Sequence, residues 1–82
     1  MTDTLDTLSS SLERFGFYPS PDPYNSSNLL VGGVKGYLVE VERTADGFRV
    51  LTYSCSTQVY NYDDLGNEAD VIGFLRGLVA HV

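Results

Sequence analysis

Few residues in this chain could carry out covalent or acid–base chemistry, and the spacing argues against each. His81 is the only histidine and the penultimate residue. At a fraying terminus its imidazolium would complement a helix C-terminal dipole, whereas a general base must be held within hydrogen-bond reach of its proton. Cys55 is the only cysteine. It cannot close an intramolecular disulfide, and no sequence neighbour would lower its pKa, so it reads as a small buried or half-buried strand residue and not as a nucleophile. Gly32-Gly33-Val34-Lys35-Gly36 has the glycines of a phosphate loop. It lacks the spacing GxxxxGKS or GxxxxGKT and the helix that must follow, which leaves a hairpin turn or a bulge. Asp63, Asp64, Asn67, Glu68 and Asp70 offer oxygen ligands for Ca²⁺. The ligand order of an EF-hand around a central glycine is missing, and acids at a helix start account for most of the group. No enzyme, metal site or cofactor is expected.

Charge says more than any motif. Eleven acids against five bases give a net charge of −6 over 82 residues. Attraction to phosphate backbones or anionic lipid is therefore disfavoured, and direct binding to nucleic acid or membrane is not expected. Residues 59 to 75 hold Asp63, Asp64, Glu68 and Asp70 without a base, and the first thirteen hold Asp3, Asp6 and Glu13 without one. Between Lys35 and Arg49 the signs balance at three each. Hydrophobic residues make up 43% of the chain, too many for disorder, yet no eighteen-residue apolar run could span a bilayer. Met1-Thr2-Asp3-Thr4 has neither the basic region nor the apolar stretch of a secretory signal, so an intracellular, cytoplasmic setting is expected. Without such a signal, Asn25-Ser26-Ser27 is a chance match to the glycosylation pattern.

The elements that would position these residues follow from periodicity. Leu5, Leu8, Leu12 and Phe15 form one stripe of a helix over Thr2–Phe15, with Asp3 and Asp6 in its first turn, Arg14 in its last and Gly16 as the left-handed stop. Phe17 can fold back on that last turn. Pro19, Pro21 and Pro23, followed by Asn25 to Asn28, leave no regular element. Phe17, Tyr18 and Tyr24 would pin this segment over the core as a strap.

Strands are expected at Leu29–Val34, Tyr37–Arg43, Phe48–Cys55 and Thr57–Tyr62, with a hairpin at Asp46-Gly47. A two- or four-residue loop there sets Val39 and Val41 on one face with Phe48 and Val50, and Glu42 close to Arg49. A bulged three-residue loop would reverse the second strand. The first register is expected because it gathers the β-branched residues. A tight next turn would add Val59 to the buried side and Gln58, Tyr60 and Tyr62 to the other.

After Gly66, Asn67 caps a second helix with Glu68 and Asp70 in its first turn and Val71, Leu75, Leu78 and Val82 as its stripe, widened by Ile72, Phe74 and Val79. Gly73, Gly77 and Ala80 surround Arg76 on its back. Glycine inside a helix costs about 1 kcal/mol relative to alanine, which suggests a close approach by another backbone.

The expected fold is one α+β domain over residues 1–82, α-β-β-β-β-α, with both helices on one face of an antiparallel sheet. Leu8, Leu12, Val39, Val41, Val50, Leu75 and Leu78 are the expected core. The other sheet face would carry Glu40, Glu42, Leu51, Tyr53, Tyr60 and Tyr62, with Asp63 and Asp64 in an acidic turn beside it. Four large apolar or aromatic groups on an uncovered face point to an interface. The expected function is a non-enzymatic acidic binding module, an inhibitor or regulator that docks a protein partner with a basic surface. Many such surfaces bind nucleic acid, so one concrete form is the viral or mobile-element protein that blocks host defence nucleases, anti-CRISPR proteins included. The alternatives are a small-ligand or metal-binding domain and a structural subunit of a homo-oligomer. A monomer or a homodimer would fit the first reading.

Overall fold

In the computed structural model, which describes residues 4–25 and 27–80, helix α1 (Leu5–Arg14) begins at a capping box. Thr4 is extended, its hydroxyl accepts the Thr7 backbone N–H at 3.2 Å, and the Thr7 hydroxyl accepts the Thr4 N–H at 3.0 Å. The helix thus starts at Leu5, and Thr2 and Asp3 lie outside the described residues. At its other end Gly16 takes φ 90°. The Gly16 N–H donates to Glu13 O at 3.1 Å and the Phe17 N–H to Leu12 O at 3.0 Å, a Schellman pair that folds Phe17 into the core.

Five strands follow in one antiparallel sheet of order β1-β2-β3-β4-β5: β1 (Tyr18–Pro21), β2 (Asn28–Gly32), β3 (Tyr37–Arg43), β4 (Phe48–Ser54) and β5 (Val59–Leu65). Four strands are expected from the sequence; β1 is the additional one, lying where the prolines argue against any regular element. Pro19 pairs with Val31 and Pro21 with Leu29. Alternate residues of a strand direct their N–H groups the same way, so prolines two apart strip donors from one side only. An edge strand can turn that side outward. Of the expected strap, only Phe17 is buried; Tyr18 and Tyr24 are exposed.

The β3–β4 hairpin has the four-residue loop Thr44–Gly47 and the expected register, with Glu42 opposite Arg49 and Val41 opposite Val50. Gly47 is required there. A Cβ on it would overlap the Leu65 carbonyl oxygen and stand 2.9 Å from Gly66 Cα. The Arg43 guanidinium donates to Gly47 O at 2.5 Å and also to Thr44 O, and lies 5.2 Å from the Phe48 ring centroid. Cys55 is exposed in the turn after β4, not buried in a strand, because β4 stops at Ser54 and Gln58 closes the turn at φ 58°. β5 then runs on through Asp63 and Asp64, which lie in a strand and not in a turn. Val59 faces the helix side as expected but is 48% exposed, at the end of the strand.

Helix α2 (Glu68–Ala80) is capped by Asn67, whose side-chain oxygen accepts the Asp70 N–H at 2.9 Å. The buried Ser11 hydroxyl of α1 donates to Glu68, tying the two helices together. The back of α2 is open among the described residues: a Cβ on Gly73 or Gly77 would meet nothing within 4 Å, so the close backbone approach expected from these glycines is not found there. Val82 lies outside the described residues.

Both helices pack on one sheet face. Leu8 and Leu12 from α1, Val71, Ile72 and Leu75 from α2, and Leu29, Val31, Val39, Val41, Phe48 and Val50 from the strands form one cluster with Phe17 and Val34. Leu78 is only partly buried against it.

Candidate interaction surface on the open sheet face

Strand alternation sends every second side chain to the face the helices leave free, and the pairing arranges them in rows. Asn28, Glu42, Arg49 and Asp64 form one row across β2 to β5. Ser20, Leu30, Glu40, Leu51 and Tyr62 form the next, from β1 to β5. Leu38, Tyr53 and Tyr60 form the third, with Tyr18 and Gly32 paired at the same end of the sheet. The surface therefore grades from charged at the end near the β3–β4 loop to apolar and aromatic at the other.

The apolar end is wet. Tyr18, Leu38, Tyr60 and Tyr62 are 74%, 64%, 62% and 68% exposed. The Tyr53 and Tyr60 rings meet at 4.6 Å between centroids, tilted by 47°. With Leu30, Leu38, Leu51 and Glu40 they line a shallow depression of about 410 Å³. Glu40 also borders a polar depression of about 190 Å³ with Asn28, Glu42, Arg49, Leu51 and Tyr62. Its carboxylate accepts from Asn28 Nδ2 at 2.7 Å.

Arg49 is the one cation of the three rows. It donates to Asp64 at 3.0 Å, and that hydrogen bond, then the Asp64 charge, raise its pKa, with Glu42 adding to the effect. The pair is largely solvated, so it serves more to orient Asp64 than to hold the sheet. In the loop beside the face, the Asp22 carboxylate accepts the Tyr24 N–H at 2.8 Å; this bond, followed by one shared with the Glu40 carboxyl, holds its pKa below the ordinary 3.8.

Of the residues expected to bind a partner, Glu40, Glu42, Leu51, Tyr53, Tyr60, Tyr62 and Asp64 share the open face. Asp63 does not. It pairs with Val50 and so projects to the helix side, because β5 continues three residues beyond the expected end at Tyr62 and neighbours in a strand point opposite ways. Leu38, Leu30 and Tyr18 belong to the face and were missed. Leu38 has the parity of Glu40 and Glu42 and was legible on that ground; Tyr18 requires knowing that the proline segment is a strand.

Among the described residues, no three His, Cys, Asp or Glu side chains gather as a metal ion would require. His81 lies outside them. No described helix is long and apolar enough to cross a membrane. No family model matches the chain, and neither curated proteins nor solved structures provide a match.

Proposed function

We propose that this domain is a non-enzymatic binding module whose open sheet face docks a protein partner with a basic surface. The observation that carries this reading is the three-row face, with exposed tyrosines and leucine at one end and Glu40, Glu42 and Asp64 against the single Arg49 at the other. Large rigid aromatics supply contact area at small entropic cost, and unbalanced carboxylates steer a basic partner and reject an acidic one. The net charge of −6 acts in the same direction. A regulator or inhibitor needs no more chemistry than this. A competitor of nucleic-acid-binding proteins, the anti-CRISPR type among them, is the form in which an acidic face is most directly useful, because those partners present basic grooves.

The test is affinity capture from the source cells or their competitors with three baits: wild type, Tyr60→Ala, and Gly73→Ala on the back of α2. A genuine partner binds wild type and the α2 variant alike. Tyr60→Ala weakens it by about 2 kcal/mol or more through faster dissociation, as expected of a central aromatic. Glu42→Gln instead slows association and flattens its salt dependence. A partner indifferent to Tyr60 and lost with Gly73 would move the interface to the helices and end the open-face reading.

A further inference from the structure

The two edges of this sheet differ in a way that bears on how a partner could attach. β1 has four residues, of which Pro19 and Pro21 have no N–H to offer. β5 has seven residues, contains no proline, and pairs with β4 without a bulge over its whole length. Among the described residues no backbone hydrogen bond outside the sheet ladder reaches Val59–Leu65. Its outer edge is a run of unpaired N–H and C=O groups about 24 Å long at the usual rise per residue.

We propose that this edge takes up an extended basic segment of the partner protein as a sixth strand, beside the open face. The inference rests on the reading above that the partner is basic. Asp63 and Asp64 are consecutive, so the edge presents one carboxylate on the helix side and one on the open side. Asp64 is shared with Arg49, and Asp63 has no hydrogen-bond or ion-pair partner among the described residues.

A second copy of the chain is a poor occupant. Its own β5 is equally acidic and carries no base, and two domains of net charge −6 repel. A charge directed to the covered side of an edge strand is also a common guard against edge-to-edge pairing. A segment with lysine or arginine at two successive positions meets both carboxylates, and its next side chains on the open side fall beside Tyr60 and Tyr62. Main-chain hydrogen bonds then supply binding and the carboxylates supply selection.

The test uses the isotopically labelled domain and a capped peptide matched to β5 in length, with arginine and lysine facing Asp63 and Asp64 and with threonine and tyrosine elsewhere. Amide hydrogen exchange is followed at millimolar peptide. The β5 amides that exchange freely in the free protein should slow by about tenfold or more. A peptide N-methylated at alternate amides should give no slowing. Asp63→Asn with Asp64→Asn, its fold verified by an otherwise unchanged amide spectrum, should weaken the peptide about fivefold or more. Absence of slowing, or slowing indifferent to N-methylation, overturns the proposal. Shifts confined to Leu38, Leu51 and Tyr53 overturn it while leaving open-face docking intact. Protection of β5 in a dimer without peptide, seen by light scattering, assigns the edge to a second copy and overturns it too.

Discussion

The two faces of one sheet are built from alternate residues of the same strands, yet they answer to different demands. On the covered face, Leu29, Val31, Val39, Val41, Phe48 and Val50 are all 6% exposed or less. On the open face, Leu38 beside Val39 and Tyr60 and Tyr62 of β5 are more than half exposed. Apolar residues on the first face repay the conformational entropy of folding, whereas Leu38, Tyr60 and Tyr62 leave most of their apolar surface in water and gain little from the fold. In β2, β3 and β4 the parity of a residue thus separates the core from the open face. The edges repeat the contrast, one closed by prolines and the other left open between carboxylates.

Leu75→Ala, on the fully buried side of α2, should cost about 2–5 kcal/mol, a large share of a small domain's stability, read as a lower urea midpoint. An unchanged midpoint would detach α2 from the sheet. Gly47→Ala should cost more than about 1 kcal/mol, because its Cβ collides with backbone at Leu65 and Gly66 that cannot yield as a side chain could. Gly73→Ala and Gly77→Ala should each raise stability by about 0.5–1 kcal/mol, since both are helical glycines facing open space. Loss of stability in either would mean that the back of α2 is covered after all. Leu38→Ser should stay within about 0.5 kcal/mol of wild type, as an exposed position on the open face demands.

The smallest effect is pH-dependent. The Asp22 pKa is lowered, so its contribution is present above the ordinary 3.8 and is lost as pH falls through the folded value. Asp22→Asn should therefore lower the denaturation midpoint near neutral pH, and its curve should converge with wild type in acid.

Much of this was legible in the residues. Leu8 and Leu12 of the α1 stripe with the Gly16 stop, the Asn67 cap and the Glu42–Arg49 register each followed from a local rule that the tertiary structure had no reason to override, whereas Phe15, the last residue of the expected stripe, is an exposed C-cap. Three features were not. The strand at Tyr18–Pro21 exists because β2 offers an edge on which prolines at alternate positions are harmless, a condition set by a neighbour and not by the segment itself. The face of Asp63 depended on where β5 ends, and one continued strand inverted it. The glycines of α2 suggested a close contact through their intrinsic cost, but space around a helix is a tertiary property. Glu40, Glu42, Leu51, Tyr53, Tyr60 and Tyr62 were legible because parity, once the hairpin register is set, carries across β3, β4 and β5; Asp64, expected in a turn, reaches the face because β5 runs on.

The central claim, that the open face is free of folding duty and committed to a partner, is tested most directly by one variant measured two ways. Leu38→Ser, Tyr60→Ser and Tyr62→Thr are combined, and the urea midpoint and partner capture are measured on the same preparation. The midpoint should stay within about 1 kcal/mol of wild type, since exposed substitutions away from the core cost little, while capture is lost. A domain that unfolds, or one that stays folded and binds its partner as wild type does, would contradict it.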